Sequence, residues 1–334
     1  MHTAAPVSSP IRVAVAGATG YAGQELVRLL ARHPGVRLTA AMSSGGEARR
    51  LPSLARIWDG EVRPLDVEEL ASSADVVFLG LPEAAAAGAG AALVERGVRV
   101  VDLSGAFRLR DGAVRRRWYP ETDALPEGTV YALPERSGAA LRTARLVSCP
   151  GCYPTAALLA LQPLADAGLL AGDVIIDAKS GVSGAGKAAT DRTHFSENHG
   201  SAAAYGIFGH RHTAEMEQAL ACAITFVPHL VPLNRGILET IYARVTPGTT
   251  AAAVGAALHA AYADSPFVRL WDEGLPEIKH VAYTPFCDIG WRVDDATNRL
   301  VAVACLDNLQ KGAASQAVQN LNLMSGLDER MGLL

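Results

Sequence analysis

The chain has 334 residues, 49% of them hydrophobic and 19% charged, with a formal net charge of −4. That length exceeds what one hydrophobic core usually serves, so two domains are expected. The small charge argues against a nucleic-acid partner, which is met with a basic surface, and five cysteines form an odd, sparse set that fits a reducing compartment better than a disulfide framework.

Residues 1–10 are short, polar and contain Pro and Ser, so they read as a flexible tail and not as a signal peptide. Ile11 to Ala16 is a β-branched run that ends in a Gly-rich turn, and 24–33 carries apolar residues at helical spacing. Val36 to Met42, Val76 to Leu79 and Val98 to Leu103 are further strand candidates, with an Ala-rich helix at 84–96. This alternation predicts βαβ units and a parallel sheet. Leu146 to Ser148 reads as the last strand of that domain, and a helix follows at 154–164. Beyond Asp173 the pattern becomes a mixed sheet with covering helices. Strands are expected at 174–177, 237–245, 278–282, 288–293 and 300–306, and helices at 251–263 and 312–324. No apolar run reaches membrane-spanning length, since 156–170 is interrupted by Gln162, Pro163 and Asp166. A cytoplasmic protein without a membrane partner is expected.

Gly17, Gly20 and Gly23 stand between a strand and a helix with G-x-x-G-x-x-G spacing, within Gly17-Ala18-Thr19-Gly20-Tyr21-Ala22-Gly23. Glycine lets the backbone turn tightly and approach a pyrophosphate that rests on a helix N-terminus. A Gly-rich turn without a ligand is the competing reading. NAD sites usually place an acidic residue at the end of the second strand. Here that strand runs into Ser43-Ser44-Gly45-Gly46, with Arg49 and Arg50 beyond, which suits the 2′-phosphate of NADP; Glu47 is the countersignal.

The segment Cys149-Pro150-Gly151-Cys152-Tyr153-Pro154-Thr155 joins a strand to an apolar helix. A thiolate at a helix N-terminus is stabilised by the dipole and by free N–H groups, as a nucleophile near neutral pH requires. Two other readings stay open at this point. One is a buried structural cysteine; the other is a C-x-x-C redox or zinc pair, although no second C-x-x-C supplies further ligands.

Taken in order, the motifs resemble those of the N-acetyl-gamma-glutamyl-phosphate reductases of arginine biosynthesis, over about residues 11 to 325. They are the glycine loop, Ser104-Gly105-Ala106-Phe107-Arg108, Tyr131-Ala132-Leu133-Pro134-Glu135, Pro150 to Thr155 and Lys179-Ser180-Gly181-Val182-Ser183-Gly184-Ala185-Gly186. Gly209-His210-Arg211-His212-Thr213-Ala214-Glu215, Phe226 to Leu230 and Asp307-Asn308 to Ala314 complete the set. Cys149 and the turn Thr284-Pro285-Phe286 depart from the family pattern. The first raises the prospect of an oxidative link to Cys152, and the second leaves local substrate contacts open.

The resemblance implies an α/β chain with a Rossmann-type dinucleotide-binding domain at 11–150. It implies an α+β catalytic and oligomerisation domain with a mixed sheet at 151–307, and a C-terminal helix at 308–334 that returns to the first domain. It further implies reduction of an acyl phosphate by NADPH through a thioester on Cys152, in a homodimer or homotetramer. His212, with His210 as second choice, is expected as acid and base, and Glu215 as the group that orients a histidine. Arg108, Ser104, Arg211 and Lys187 are expected at the substrate's anionic groups. Gly17, Thr19, Gly20, Tyr21, Ala22, Gly23, Ser43, Ser44, Ser180, Gly181, Gly184 and Asn308 are expected at the cofactor, and no metal is expected. Close alternatives are aspartyl-phosphate reduction and reduction of a carrier-linked aminoadipyl phosphate, for which Arg115-Arg116-Arg117 is a candidate basic patch. A dinucleotide sensor and a thiol-disulfide protein are the alternatives of other classes.

Overall fold

A computed structural model describes residues 9–334, so most of the expected tail at 1–10 lies outside the described residues. The chain divides into two compact units. One is the chain up to Cys149 together with Ala314–Leu334, and the other is Pro150–Ala313.

The first unit is built on seven strands: β1 (Ile11–Ala16), β2 (Val36–Ser43), β3 (Val62–Pro64), β4 (Val76–Leu79), β5 (Arg99–Asp102), β6 (Thr129–Tyr131) and β7 (Leu146–Ser148). Their order in the sheet is β3-β2-β1-β4-β5-β7-β6, and every pairing is parallel. The central strands read as continuous apolar runs because both faces are covered. Leu26, Leu30, Val318 and Leu321 pack on one face, and Leu70, Ala86, Leu93 and Phe107 on the other. The C-terminal helix Ser315–Met324 belongs to this unit and follows a single π-helical turn at Gln310–Ala314.

The second unit holds β8 (Leu170–Gly181), β9 (Ala203–Ala204), β10 (Ile224–Val231), β11 (Ile237–Val245), β12 (Val268–Trp271), β13 (Cys287–Asp294) and β14 (Arg299–Leu306). Their order is β12-β13-β14-β11-β8-β10-β9, with parallel and antiparallel neighbours mixed. On one face Ile176, Ala178, Ile237, Glu239 and Ile241 are buried. The other face carries Ile175, which is 40% exposed, with Asp177, Lys179, Thr240 and Tyr242 half-buried beside it.

The strand expected at 278–282 is instead a short helix, Ile278–Val281. A short apolar run does not separate strand from helix by periodicity. Strand β10 escapes the pattern reading because Pro228 interrupts it. The proline is tolerated beside the two-residue edge strand β9, where its carbonyl accepts from Tyr205 N at 3.0 Å.

Candidate active site

In the first unit, the glycine loop runs from the end of β1 into the helix Tyr21–Leu30. Gly17 has φ +96°, and a Cβ there would stand 2.1 Å from Gly80 O; a Cβ on Gly23 would stand 2.1 Å from Gly17 O. Both would overlap main chain, so this close-packed turn accepts nothing larger than glycine. The helix has Gly20 as N-cap and no side-chain cap bond. Its first-turn N–H groups are therefore not taken by a capping side chain and suit a phosphate. Thr19 in the loop and Ala22 in the first turn of the helix are half-buried, and Tyr21 is 40% exposed. At the end of β2, Ser43 Oγ donates to Gly45 O at 2.9 Å, so this hydroxyl shapes the turn. Ser44 is exposed. Arg49 is held by main-chain bonds to Val62, and its Nη1 would lie 3.6 Å from a Cβ on Gly46. The loop thus presents the first-turn N–H groups of the helix, with a hydroxyl and a guanidinium at the carboxyl end of β2, while Gly17 N and Gly20 N donate to Met42 O and Gly17 O.

The same unit holds Ser104 and Arg108 in the turn after β5. Arg108 Nε donates to Cys149 O at 2.9 Å and Nη2 to Leu103 O at 2.8 Å. Cys149 is buried, and Asn320 Nδ2 lies 3.4 Å from its sulfur. Burial pushes this thiol up to about 12, with the Asn320 contact pulling the other way. Of the run Arg115-Arg116-Arg117, the last two are exposed and the first is not. Arg115 is buried in the helix Gly112–Trp118 and donates to the carbonyls of Leu109, Arg110, Thr122 and Asp123.

In the second unit, Cys152 is the first residue of the helix Cys152–Asp166, with Gly151 as N-cap. Pro154 falls in the first turn, where a missing N–H costs nothing. Cys152 is partly exposed. The main chain of Gly151 is gripped from a second helix, Arg211–Leu220: Gly151 N donates to Glu215 Oε2 at 3.0 Å, and Glu215 is 0% exposed. The other oxygen, Oε1, lies 3.8 Å from His212 Nε2. Residues three apart share a helix face, so one carboxylate faces both the elbow and the imidazole. A Cβ on Gly151 would stand 2.3 Å from His212 Nε2, so the ring lies directly against the glycine that precedes the cysteine. A Cβ on Gly312 would stand 2.7 Å from Cys152 Cβ, which places the cysteine side chain against the segment that follows β14.

His210 has a different environment. It is the N-cap of its helix, and its Nδ1 accepts from His212 N at 3.2 Å. Tyr153, Tyr205, His212 and Phe226 meet its ring edge-on, with centroids 4.8 to 5.9 Å away. Burial, with Arg211 beside it, lowers His210 to about 4. Tyr153 and Tyr205 share a hydroxyl–hydroxyl contact of 3.2 Å, and burial raises both phenols. The Arg192 guanidinium lies 5.2 Å from the Tyr205 ring centroid. Motif reading assigns no role to Tyr205 or Phe226, although Phe226 opens one of the motifs. The sequence signal of both is aromatic character alone.

Ser180, Gly181, Gly184 and Asn308 come together at the end of β8. Asn308 Nδ2 donates to Ser183 Oγ at 3.0 Å, and its Oδ1 accepts from Gly236 N at 2.8 Å. A Cβ on Gly184 would stand 2.8 Å from Ser180 Oγ. Arg211 and Lys187 are exposed. Among the described residues, no group of three or more His, Cys, Asp or Glu side chains is placed to share a metal ion, and no helix is long and apolar enough to cross a membrane.

Two family models match this chain. Residues 12–144 match the NAD binding domain of semialdehyde dehydrogenases, and residues 152–308 match their dimerisation domain. Similar proteins named N-acetyl-gamma-glutamyl-phosphate reductase occur in Syntrophobacter fumaroxidans, 45% identical, and Shouchella clausii, 42% identical; in both cases 97% of this chain and 98% of the relative are covered. Among solved structures, aspartate semialdehyde dehydrogenase II from Vibrio cholerae superposes with a TM-score of 0.74 at 19% identity, over 95% of this chain and 99% of that one. The Candida albicans aspartate semialdehyde dehydrogenase with NADP gives 0.73 at 16% identity, over 95% and 99%. These structural likenesses establish the fold; the relatives, matched from end to end, establish that the chain belongs to the N-acetyl-gamma-glutamyl-phosphate reductase family.

Proposed function

We propose that this protein reduces N-acetylglutamyl 5-phosphate to N-acetylglutamate 5-semialdehyde with release of phosphate, as a cytoplasmic enzyme of arginine biosynthesis. The observation that carries the reading is the elbow itself: Cys152 opens a helix, the His212 ring lies on the preceding glycine, and Glu215 faces both.

The Cys152 sulfur attacks the acyl carbon of the substrate, phosphate leaves, and a thioester remains on the chain. The glycine loop would hold the pyrophosphate of NADPH, which supplies a hydride when bound; Ser180, Gly181, Gly184 and Asn308 are the further candidate cofactor contacts. His212 moves the proton between sulfur and oxygen in both halves of the cycle. Glu215 orients the imidazole and fixes the elbow through Gly151 N. His210, whose Nδ1 already accepts a main-chain bond, is a cap and a wall. Arg108, Arg211 and Lys187 are the cations available to the substrate's anionic groups, while the Ser104 hydroxyl, which donates to Asp102, shapes the turn that carries Arg108. The open sheet face around Ile175 is the interface of a homodimer or homotetramer.

The test is a substrate panel with purified protein, inorganic phosphate and NADP or NAD. N-acetylglutamate semialdehyde should be oxidised with NADP only when phosphate is present, and Cys152→Ser should abolish turnover. Preference for aspartate semialdehyde, or for a carrier-linked aminoadipate semialdehyde, would refute the substrate assignment. Substantial activity of Cys152→Ser would refute the covalent route.

A further inference from the structure

We propose that Asp102 is a positioning residue for the nucleophilic elbow, holding the turn that carries Ser104 and Arg108, and the peptide of Cys149, in one hydrogen-bonded frame. This deepens the reading above and rests on it. Asp102 is the last residue of β5 and is 0% exposed. Its Oδ1 accepts from Ser104 N at 3.0 Å and its Oδ2 from Ser104 Oγ at 2.9 Å. Ser104 Oγ in turn accepts from Ala106 N at 3.1 Å, and Arg108 N donates to Gly105 O at 3.3 Å. The turn closes tightly, since a Cβ on Gly105 would stand 2.2 Å from the Tyr119 ring.

The frame then meets the elbow twice at one residue. Asp102 O accepts from Cys149 N at 2.8 Å, and Cys149 O accepts from Arg108 Nε at 2.9 Å. Both polar groups of the Cys149 main chain are thereby fixed by the Asp102 turn. Pro150 and Gly151 alone separate that peptide from the nucleophile, and proline removes one torsion. The frame therefore anchors the chain where it enters the elbow. The charged groups facing the carboxylate are Arg108, from the same turn, and Glu83, from the first turn of the helix Glu83–Glu95. Burial raises Asp102 to about 6, with the Ser104 hydrogen bonds opposing it. The ionised frame is thus present above about pH 6 and is lost below.

Asp102→Asn keeps the size but turns an N–H donor toward the Ser104 hydroxyl. We expect kcat to fall about 10- to 100-fold, as for a sub-ångström to 1 Å misplacement of a reacting group. The Kd for NADP should stay within about twofold. Ser104→Ala should fall in the same direction, and the double variant should be no worse than Asp102→Asn, because the two act as one unit. Iodoacetamide labelling of Cys152 should slow in both variants. The part of its pH profile centred near 6 should vanish in Asp102→Asn. Wild-type kcat and labelling in Asp102→Asn would overturn the proposal. So would multiplying effects, or a joint collapse of NADP binding and kcat. Should Asp102→Asn not fold, Ser104→Ala decides by the same readouts. Labelling needs no substrate, so a wrong substrate assignment leaves this test intact.

Discussion

Gly151→Ala isolates the contact on which the proposed chemistry turns. Gly151 has φ −64° and ψ 160°, a conformation alanine adopts without strain, so the variant adds one methyl group and no backbone penalty. That methyl would lie 2.3, 2.6 and 2.8 Å from His212 Nε2, Cε1 and Cδ2. An ordinary contact is roughly 3.5–4 Å, so the ring or the elbow must give by about 1 Å. Overpacking of this kind costs about 1–3 kcal/mol of stability, which a domain of ordinary stability survives. A 1 Å displacement of a reacting group costs about 100-fold in rate. We therefore expect a folded Gly151→Ala protein with kcat lowered about 100-fold, unchanged NADP affinity and slower alkylation of Cys152. The measurements are steady-state kinetics with N-acetylglutamate semialdehyde, phosphate and NADP, a fluorescence titration with NADP, and a thermal melt. A folded variant with wild-type kcat would show that the imidazole beside the elbow has no part in the reaction.

Arg49→Ala should raise the KM for NADP by about 10-fold and leave that for NAD unchanged, since a charge-assisted bond to the 2′-phosphate is lost; equal loss with both cofactors would refute the assignment. Glu239→Met should stabilise the fold by about 1–3 kcal/mol near pH 8, because Glu239 is 0% exposed and neither carboxylate oxygen has a hydrogen-bond partner. Burial holds this carboxyl well above its ordinary value of 4.5. The native state therefore keeps a proton that the unfolded chain releases, and wild-type stability falls as pH rises above about 4.5; denaturant melts at pH 5 and 8 should show the gap between the two proteins widening with pH. The proton resonances of His210 should stay in the neutral form from pH 8 down to about 5 and titrate near 4, as its burial dictates; a midpoint near 6.5 would contradict the capping geometry. Ile175→Arg, on the open sheet face, should shift the protein toward monomer in light scattering, and an unchanged mass would move the interface elsewhere.

The parts of this molecule that were legible in the sequence are those fixed by chain neighbours. Gly17 to Gly23 sit between a strand and a helix because strand, turn and helix are contiguous, and the thiol of Cys152 reaches a helix N-terminus for the same reason. The His-Arg-His segment was visible too, but not its division of labour. His210 accepts a bond from His212 N, two residues on, and is walled by Tyr205 and Phe226; His212 instead meets Gly151. The bond from Gly151 N to Glu215 spans 64 positions, and no periodicity or spacing rule reaches that far. The same limit explains the strand expected at 278–282, where a few apolar residues fit either element until tertiary packing chooses.

Asp102 and Glu239 show the limit most sharply. Each is 0% exposed, each lies on a central strand, and burial raises both. In the sequence they are single acids within apolar runs and cannot be told apart. Their surroundings differ completely. Asp102 accepts two bonds from Ser104 and is joined through that turn to the peptide of Cys149, whereas neither oxygen of Glu239 has a hydrogen-bond partner. A buried carboxyl that spends its oxygens on one turn is costly to remove, because its donors are left unpaired; one that spends them on nothing is costly to keep. Substitution should therefore act in opposite senses at the two positions. Loss of Asp102 should damage catalysis more than stability, and loss of Glu239 should raise stability with little change in rate. If Glu239→Met proved inactive while folded, the carboxyl without partners would be part of the reaction, and Cys152, His212 and Glu215 would not make up the whole of the catalytic machinery.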